Sequence, residues 1–146
     1  ANRLITTSTG TETFVTAFYA ELDASVHRLS FCNAGHEHPY LFHGDGSVER
    51  LATGGLTLGI LPGFEYQDGI AEMRAGDTLL VFTDGITDAT NNTEELFGAA
   101  RLERVVRERL ASSADDIAQA IIDAVNAHAG GEPQFDDLTL MVVKRP

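Results

Sequence analysis

The runs Leu79-Leu80-Val81-Phe82-Thr83-Asp84-Gly85 and Phe135-Asp136-Asp137-Leu138-Thr139-Leu140-Met141-Val142-Val143 decide how this chain folds. In the first, an apolar, strand-like stretch ends on Asp84; in the second, Asp136 opens one. One carboxylate therefore leaves a strand where the other enters one. If the two strands are antiparallel neighbours, both carboxylates reach the same rim of a sheet. A parallel pairing would set them apart by a strand's length, about 20 Å for roughly six residues. The pairing sense thus decides whether Asp84 and Asp136 can act on one ligand.

Upstream of these runs the pattern is that of antiparallel β structure. Residues 14–22 and 26–32 are rich in aromatic and β-branched side chains and are joined by the polar Asp23-Ala24-Ser25, which predicts a hairpin. Tyr40-Leu41-Phe42 and Val48-Glu49-Arg50-Leu51 flank Gly44-Asp45-Gly46-Ser47 and predict a second. Gly54-Gly55-Leu56-Thr57-Leu58-Gly59 is expected to be a loop, being too glycine-rich for a regular strand. Residues 64–73 and 78–82 resume the strand pattern.

Two helices follow. Asn92 with Glu95 has capping-box character, and Phe97, Leu102, Val105, Val106 and Leu110 supply an apolar face as far as residue 111. Ser113 with Asp116 repeats the start signal, Ile117, Ala118, Ile121, Ile122 and Val125 keep helical spacing, and Gly130-Gly131 stops the turn. Strands, two helices and a final strand, in that order, predict an α+β fold with a mainly antiparallel sheet.

A length of 146 residues suits one domain with one core. The 43% hydrophobic and 22% charged content is that of a globular protein, and no apolar stretch approaches the roughly 18 residues of a membrane helix. Residues 1–7 lack the apolar centre of a signal peptide, so a cytoplasmic setting is expected. The net charge of −12 argues against binding nucleic acid or an anionic membrane. The single cysteine, Cys32, sits in an apolar run and is expected to be an inert thiol.

Taken alone, Asp84-Gly85 reads as a turn and Asp136-Asp137 as a strand boundary with solvated charge. In combination, apolar flanks bring these carboxylates to the edge of a core with no Lys or Arg near them in sequence. Clustered carboxylates repel one another, and a hard divalent cation is the usual resolution. With oxygen ligands and no cysteine pair, Mg²⁺ or Mn²⁺ suits them better than zinc. A separate set, His36, His38 and His43, has the look of a cupin-type oxygenase site, but no acidic residue lies in residues 39–43 to complete it.

Five blocks occur in order: Asn33-Ala34-Gly35-His36-x-x-Pro39, Gly54-Gly55-Leu56-x-Leu58-Gly59, Gly76-Asp77-x-Leu79-Leu80-x-Phe82-Thr83-Asp84-Gly85-x-Thr87-Asp88-Ala89, Glu95-Leu96-Phe97-Gly98, and Phe135-Asp136-Asp137-Leu138-Thr139. Together they resemble the C-terminal part of a bacterial PPM-type serine/threonine phosphatase. The branch is the one similar to sporulation stage II protein E and the phosphatases that regulate stress sigma factors. The resemblance covers nearly the whole chain. It implies an αββα sandwich of antiparallel sheets with flanking helices, and a binuclear Mn²⁺ or Mg²⁺ centre. It also implies hydrolysis of phosphoserine or phosphothreonine on a protein such as an anti-sigma-factor antagonist. By motif match Asp84 and Asp136 would be metal ligands. Asp137 and Gly85 would lie just behind them, and His36 matches a position where relatives hold an additional, weaker metal.

The departure from the family pattern concerns the N-terminal side. Two further acidic metal-site motifs, a Gly-Asp segment and an Asp-x-x-Gly-x-Gly segment, have no counterpart before Phe14. The expectation is a single partial domain over residues 1–146, with its N-terminal portion missing, inactive by itself and belonging to a longer protein. The alternative is a non-catalytic pseudophosphatase that binds a signalling partner. A sheet lacking its first strands would expose edges open to self-association.

Overall fold

The computed structural model describes residues 1–8, 13–132 and 136–146, and the chain forms two compact units. The first comprises Ala1–His38 and Arg50–Met73. After helix α1 (Asn2–Ser8), strands β1 (Ala17–Asp23) and β2 (Arg28–Ala34) form the first expected hairpin, in register from Ala17 opposite Ala34 to Asp23 opposite Arg28. Its turn is closed by Asp23, whose Oδ1 accepts from the Ser25 backbone N–H at 3.0 Å and the Ser25 hydroxyl at 2.6 Å. On β2, Leu29, Phe31 and Asn33 are buried while Ser30 and Cys32 are half-buried, the two-residue period of a sheet with one covered face. The free thiol of Cys32 is pushed above its ordinary range by partial burial, in keeping with an inert side chain.

The other edge of β2 is shared by two short strands. β6 (Gly69–Glu72) pairs antiparallel with residues 28–31, and β5 (Gly54–Gly55) pairs parallel with Asn33 and Ala34. The glycine pair expected to be a loop is therefore a strand, if a very short one. A Cβ on Gly54 would lie 1.8 Å from the Asn33 carbonyl oxygen, so glycine is there for close backbone approach and not for mobility. Conversely, the expected strand over residues 64–73 is regular only from Gly69. Phe64 and Tyr66 instead stack edge-on, ring centroids 5.0 Å apart, over the Gly55 backbone.

The second unit comprises Pro39–Glu49 and Arg74–Pro146. β3 (Tyr40–Phe42), β4 (Val48–Arg50), β7 (Thr78–Phe82) and β8 (Leu140–Lys144) form a sheet in the order β4-β3-β7-β8. The β3–β4 turn is anchored by the buried Asp77, whose carboxylate accepts from the backbone N–H groups of Gly44 at 3.0 Å and Arg74 at 2.8 Å and meets His43 Nδ1 at 3.0 Å.

Two helices cover the sheet, α2 (Gly98–Arg107) and α3 (Ala114–Ala129). α3 has the expected ends: Ser113 Oγ accepts from the Asp116 N–H, the Asp116 carboxylate reaches back to Ser113, and Gly130 closes the helix in the left-handed region at φ 61°. α2 begins six residues later than its sequence signal. Asn91, not Asn92, is the capping-type side chain, and it accepts from the N–H groups of Thr93 and Glu95 in a turn outside the helix. Glu95 pairs with Arg101, and Phe97 occupies the N-cap with no side-chain cap. His128 on α3 holds this approach segment, its Nε2 2.8 Å from the Glu95 carbonyl and its ring edge-on to Phe97.

The core of this unit joins Tyr40, Phe42, Leu80 and Phe82 of the sheet to Leu102 and Val106 of α2 and Ile117, Ile121 and Val125 of α3. Each such side chain contributes about 1.5–3 kcal/mol on burial. Among the described residues no helix is long and apolar enough to cross a membrane.

Candidate metal centre

β7 carries the chain out of this core because Leu80 and Phe82 are anchored in it, and the strand ends one residue before Thr83. β7 and β8 are antiparallel, Phe82 opposite Leu140 and Thr78 opposite Lys144. The pairing sense left open by the sequence is thus the one that brings Asp84 and Asp136 to a common rim. Thr83 fastens that rim. Its N–H donates to the Thr139 carbonyl at 3.1 Å, its hydroxyl donates to the Asp137 carbonyl at 2.9 Å, and the Thr139 N–H donates back to that hydroxyl at 3.0 Å.

Beyond Thr83 the chain makes a helical turn. The Asp88 N–H donates to the Asp84 carbonyl at 2.8 Å, and the Thr87 hydroxyl to the same oxygen at 3.0 Å. Gly85, inside the turn, is buried against the opposite loop: a Cβ there would stand 2.6 Å from the Asp137 carbonyl oxygen and 3.4 Å from that of Asp136. Only glycine lets the two aspartate-bearing segments come this close. Asp84, Asp136 and Asp137 are all exposed. The Asp137 N–H donates to Asp136 Oδ1 at 2.7 Å, and its own carbonyl is taken by Thr83, so Asp137 positions its neighbour through the backbone. Phe135, which precedes Asp136 in the sequence motif, lies outside the described residues.

His36 belongs to the first unit, half-buried on a loop braced by the buried Asn33 side chain, which accepts from the His36 N–H at 2.8 Å and donates to its carbonyl at 3.0 Å. The ring nitrogen of His43 is committed to Asp77, and the α+β architecture is not a cupin barrel, which disposes of the histidine-centred reading.

Carboxylate oxygens at one rim match a hard divalent ion such as Mg²⁺ or Mn²⁺ in kind. They do not match it in number. An octahedral ion wants about six oxygens, and among the described residues no group of three or more His, Cys, Asp or Glu side chains is gathered to hold one. Beside Asp136 the second unit also forms a pocket, walled by the turn after Asp84, the last turns of α3 and the approach to β8. Asp88 and Glu132 line it. Sequence reasoning passed over both, since Asp88 stood inside a motif without a role and Glu132 outside every motif.

The chain has clear relatives. The family model of Stage II sporulation protein E (SpoIIE) matches residues 1–146. Protein IcfG of Synechocystis sp. is 33% identical over 132 residues, 90% of this chain and 21% of that protein. Phosphoserine phosphatase RsbU of Bacillus subtilis is 29% identical over 146 residues, 99% of this chain and 43% of that protein. The chain therefore spans less than half the length of these curated relatives. Among solved structures, the PP2C domain of SiaA from Pseudomonas aeruginosa superposes with a TM-score of 0.76 at 22% identity, over 90% of this chain and 52% of that one. The catalytic domain of the serine/threonine protein phosphatase PstP, solved with two manganese ions, gives 0.66 at 17% identity, over 97% and 65%. These likenesses establish the PP2C-type fold. With a sequence match running the full length of the chain on that fold, the chain belongs to the SpoIIE family.

Proposed function

We propose that this chain supplies Asp84 and Asp136 to the Mn²⁺ or Mg²⁺ centre of a phosphatase that hydrolyses phosphoserine or phosphothreonine on a protein. The observation that carries the reading is the antiparallel β7–β8 register, which sets both carboxylates at one rim. Family membership and the likeness to the phosphoserine phosphatase RsbU support it. The substrate is a regulatory phosphoprotein, such as an anti-sigma-factor antagonist in a cytoplasmic stress-signalling pathway.

In this reading the chain's own residues hold and orient. Asp84 and Asp136 bind the ion, Gly85 keeps their two segments together, Thr83 fixes the depth of the β8 approach, and Asp137 aligns the Asp136 carboxylate. A divalent ion bound there would neutralise charge on the phosphoryl oxygens and lower the pKa of water. His36 would serve an additional, weaker metal. Because the described residues gather no three-ligand group, this chain by itself should bind metal weakly and turn over negligibly.

That same observation favours a second reading, a pseudophosphatase that recognises a partner without chemistry. Calorimetric titration with Mn²⁺ tests the first. Weak binding that drops at least tenfold in Asp84→Asn and in Asp136→Asn supports it. Phosphatase activity of this chain in Mn²⁺ that survives Asp84→Asn refutes the site. Sequencing the gene upstream of Ala1 separates the two readings, since the missing acidic motifs would support the enzyme and their absence the binding module.

A further inference from the structure

The β7–β8 ladder runs regularly from Thr78 opposite Lys144 to Phe82 opposite Leu140. Thr83 and Thr139 form the next pair, and only half of it is backbone. The Thr83 N–H donates to the Thr139 carbonyl at 3.1 Å, as a hydrogen-bonded antiparallel pair requires. The return bond, from the Thr139 N–H, would ordinarily go to the Thr83 carbonyl. It goes to the Thr83 hydroxyl instead, at 3.0 Å. The carbonyl so released accepts from the Ile86 N–H at 3.1 Å and opens the turn that carries Asp84 and Gly85. The same hydroxyl donates its proton to the Asp137 carbonyl at 2.9 Å, which holds the residue next to Asp136.

The Thr83 carbonyl points one way, across the sheet to Thr139 or along the chain to Ile86. With backbone groups alone, the chain would either stay in the strand past Asp84 or lose its hold on the approach to β8. The hydroxyl removes that choice. Its one proton goes to Asp137 and it accepts from Thr139, so the group is committed to backbone on both counts. We propose that Thr83 is a positioning residue of the candidate metal centre. Its hydroxyl stands in for its own carbonyl in the ladder, so the chain leaves the strand at Asp84 while the other segment stays bound as far as Asp137, and this fixes the spacing of the Asp84 and Asp136 carboxylates. The proposal rests on the metal reading and adds to it the group that sets the geometry. Serine can take the place of threonine here. Valine, of nearly the same shape, cannot, since it leaves the Thr139 N–H and the Asp137 carbonyl without these partners.

The test compares the 146-residue parent with Thr83→Val and Thr83→Ser, first without metal and then with Mn²⁺. Amide hydrogen exchange followed by NMR reads the ladder directly. In Thr83→Val the amide of Thr139, or that of Ile86 where the carbonyl swings back to the strand, should exchange about tenfold faster, while Thr83→Ser keeps the parent's rates. Calorimetric titration should then show Mn²⁺ binding several-fold weaker in Thr83→Val and parental in Thr83→Ser. Ile117→Val, a core truncation on the first turn of α3, loses stability without touching the rim and should bind Mn²⁺ like the parent. Where circular dichroism shows the valine variant unfolded, Thr83→Ala carries the same expectations. Parental exchange at both amides would overturn the proposal, as would faster exchange with Mn²⁺ affinity unchanged, or a serine variant that restores neither. The metal reading fails on a different measurement: Mn²⁺ binding that Asp84→Asn leaves intact counts against it, whereas the exchange rates decide the hydroxyl's place in the ladder whatever the ion does.

Discussion

Gly85 shows how much of the candidate site rests on one missing methyl group. Its backbone is pressed against the Asp137 carbonyl closely enough that a Cβ would sit 2.6 Å away, well inside contact distance. In Gly85→Ala one segment has to retreat, at a cost of about 1–3 kcal/mol by analogy with overpacking. The expected outcome is a lower midpoint in urea together with weaker Mn²⁺ binding, because the aspartates stand on the segments that separate. A second residue-scale effect concerns acid. Hydrogen bonds from the Ser113 hydroxyl and backbone hold the Asp116 carboxyl below its ordinary value of 3.8. A carboxylate with a depressed folded pKa adds stability at pH values above its unfolded value, and loses it as pH falls through the folded one. Asp116→Asn should therefore be less stable than the parent at neutral pH, and the gap should close as pH drops below about 3.8. Its full exposure makes the effect small and salt-sensitive, so unfolding curves at low ionic strength are the ones to compare.

At the level of elements, stability depends on α2 and α3 meeting over the sheet. Ile121 is fully buried among residues of both helices and strands. Ile121→Ala should cost about 3 kcal/mol, within the usual range for such truncations, measured by chemical denaturation. The same elements explain what a reader of the sequence could and could not see. α3 was legible at both ends because its capping box and its glycine stop are local chemistry, written within a few residues. The first hairpin was legible for the same reason, through its aromatic and β-branched runs and the polar Asp23 turn between them. The start of α2 was not, because Glu95 is claimed by Arg101 and His128, a residue far along the chain, holds the segment before the helix. Nor was β5, whose glycines are explained only by the Asn33 carbonyl beneath them. The Asp84–Asp136 rim was legible up to a single choice, parallel or antiparallel. The pocket was invisible, since it needs the end of α3 to meet two loops distant in sequence.

Over the whole molecule, a net charge of −12 means that self-repulsion works against folding, and any added cation relieves part of it. That general effect has to be separated from a site. Ions that bind only the folded state stabilise it by mass action, by about 2.7 kcal/mol when free ion is on the order of a hundred times the dissociation constant. Screening acts on the parent and on an Asp84→Asn/Asp136→Asn double variant almost alike, because the double variant is only slightly less negative. Site binding acts on the parent alone. Thermal unfolding of both proteins should be followed in rising Mn²⁺, with ionic strength held constant by exchange against NaCl. The parent's midpoint should climb with the logarithm of Mn²⁺ concentration while the double variant's stays nearly flat. Ca²⁺ should raise the parent less than Mn²⁺ if the rim prefers a small, octahedral ion. Parallel curves for the two proteins would mean that the manganese effect is screening of an acidic surface, and the two aspartates would revert to strand-end residues that share a rim and nothing more.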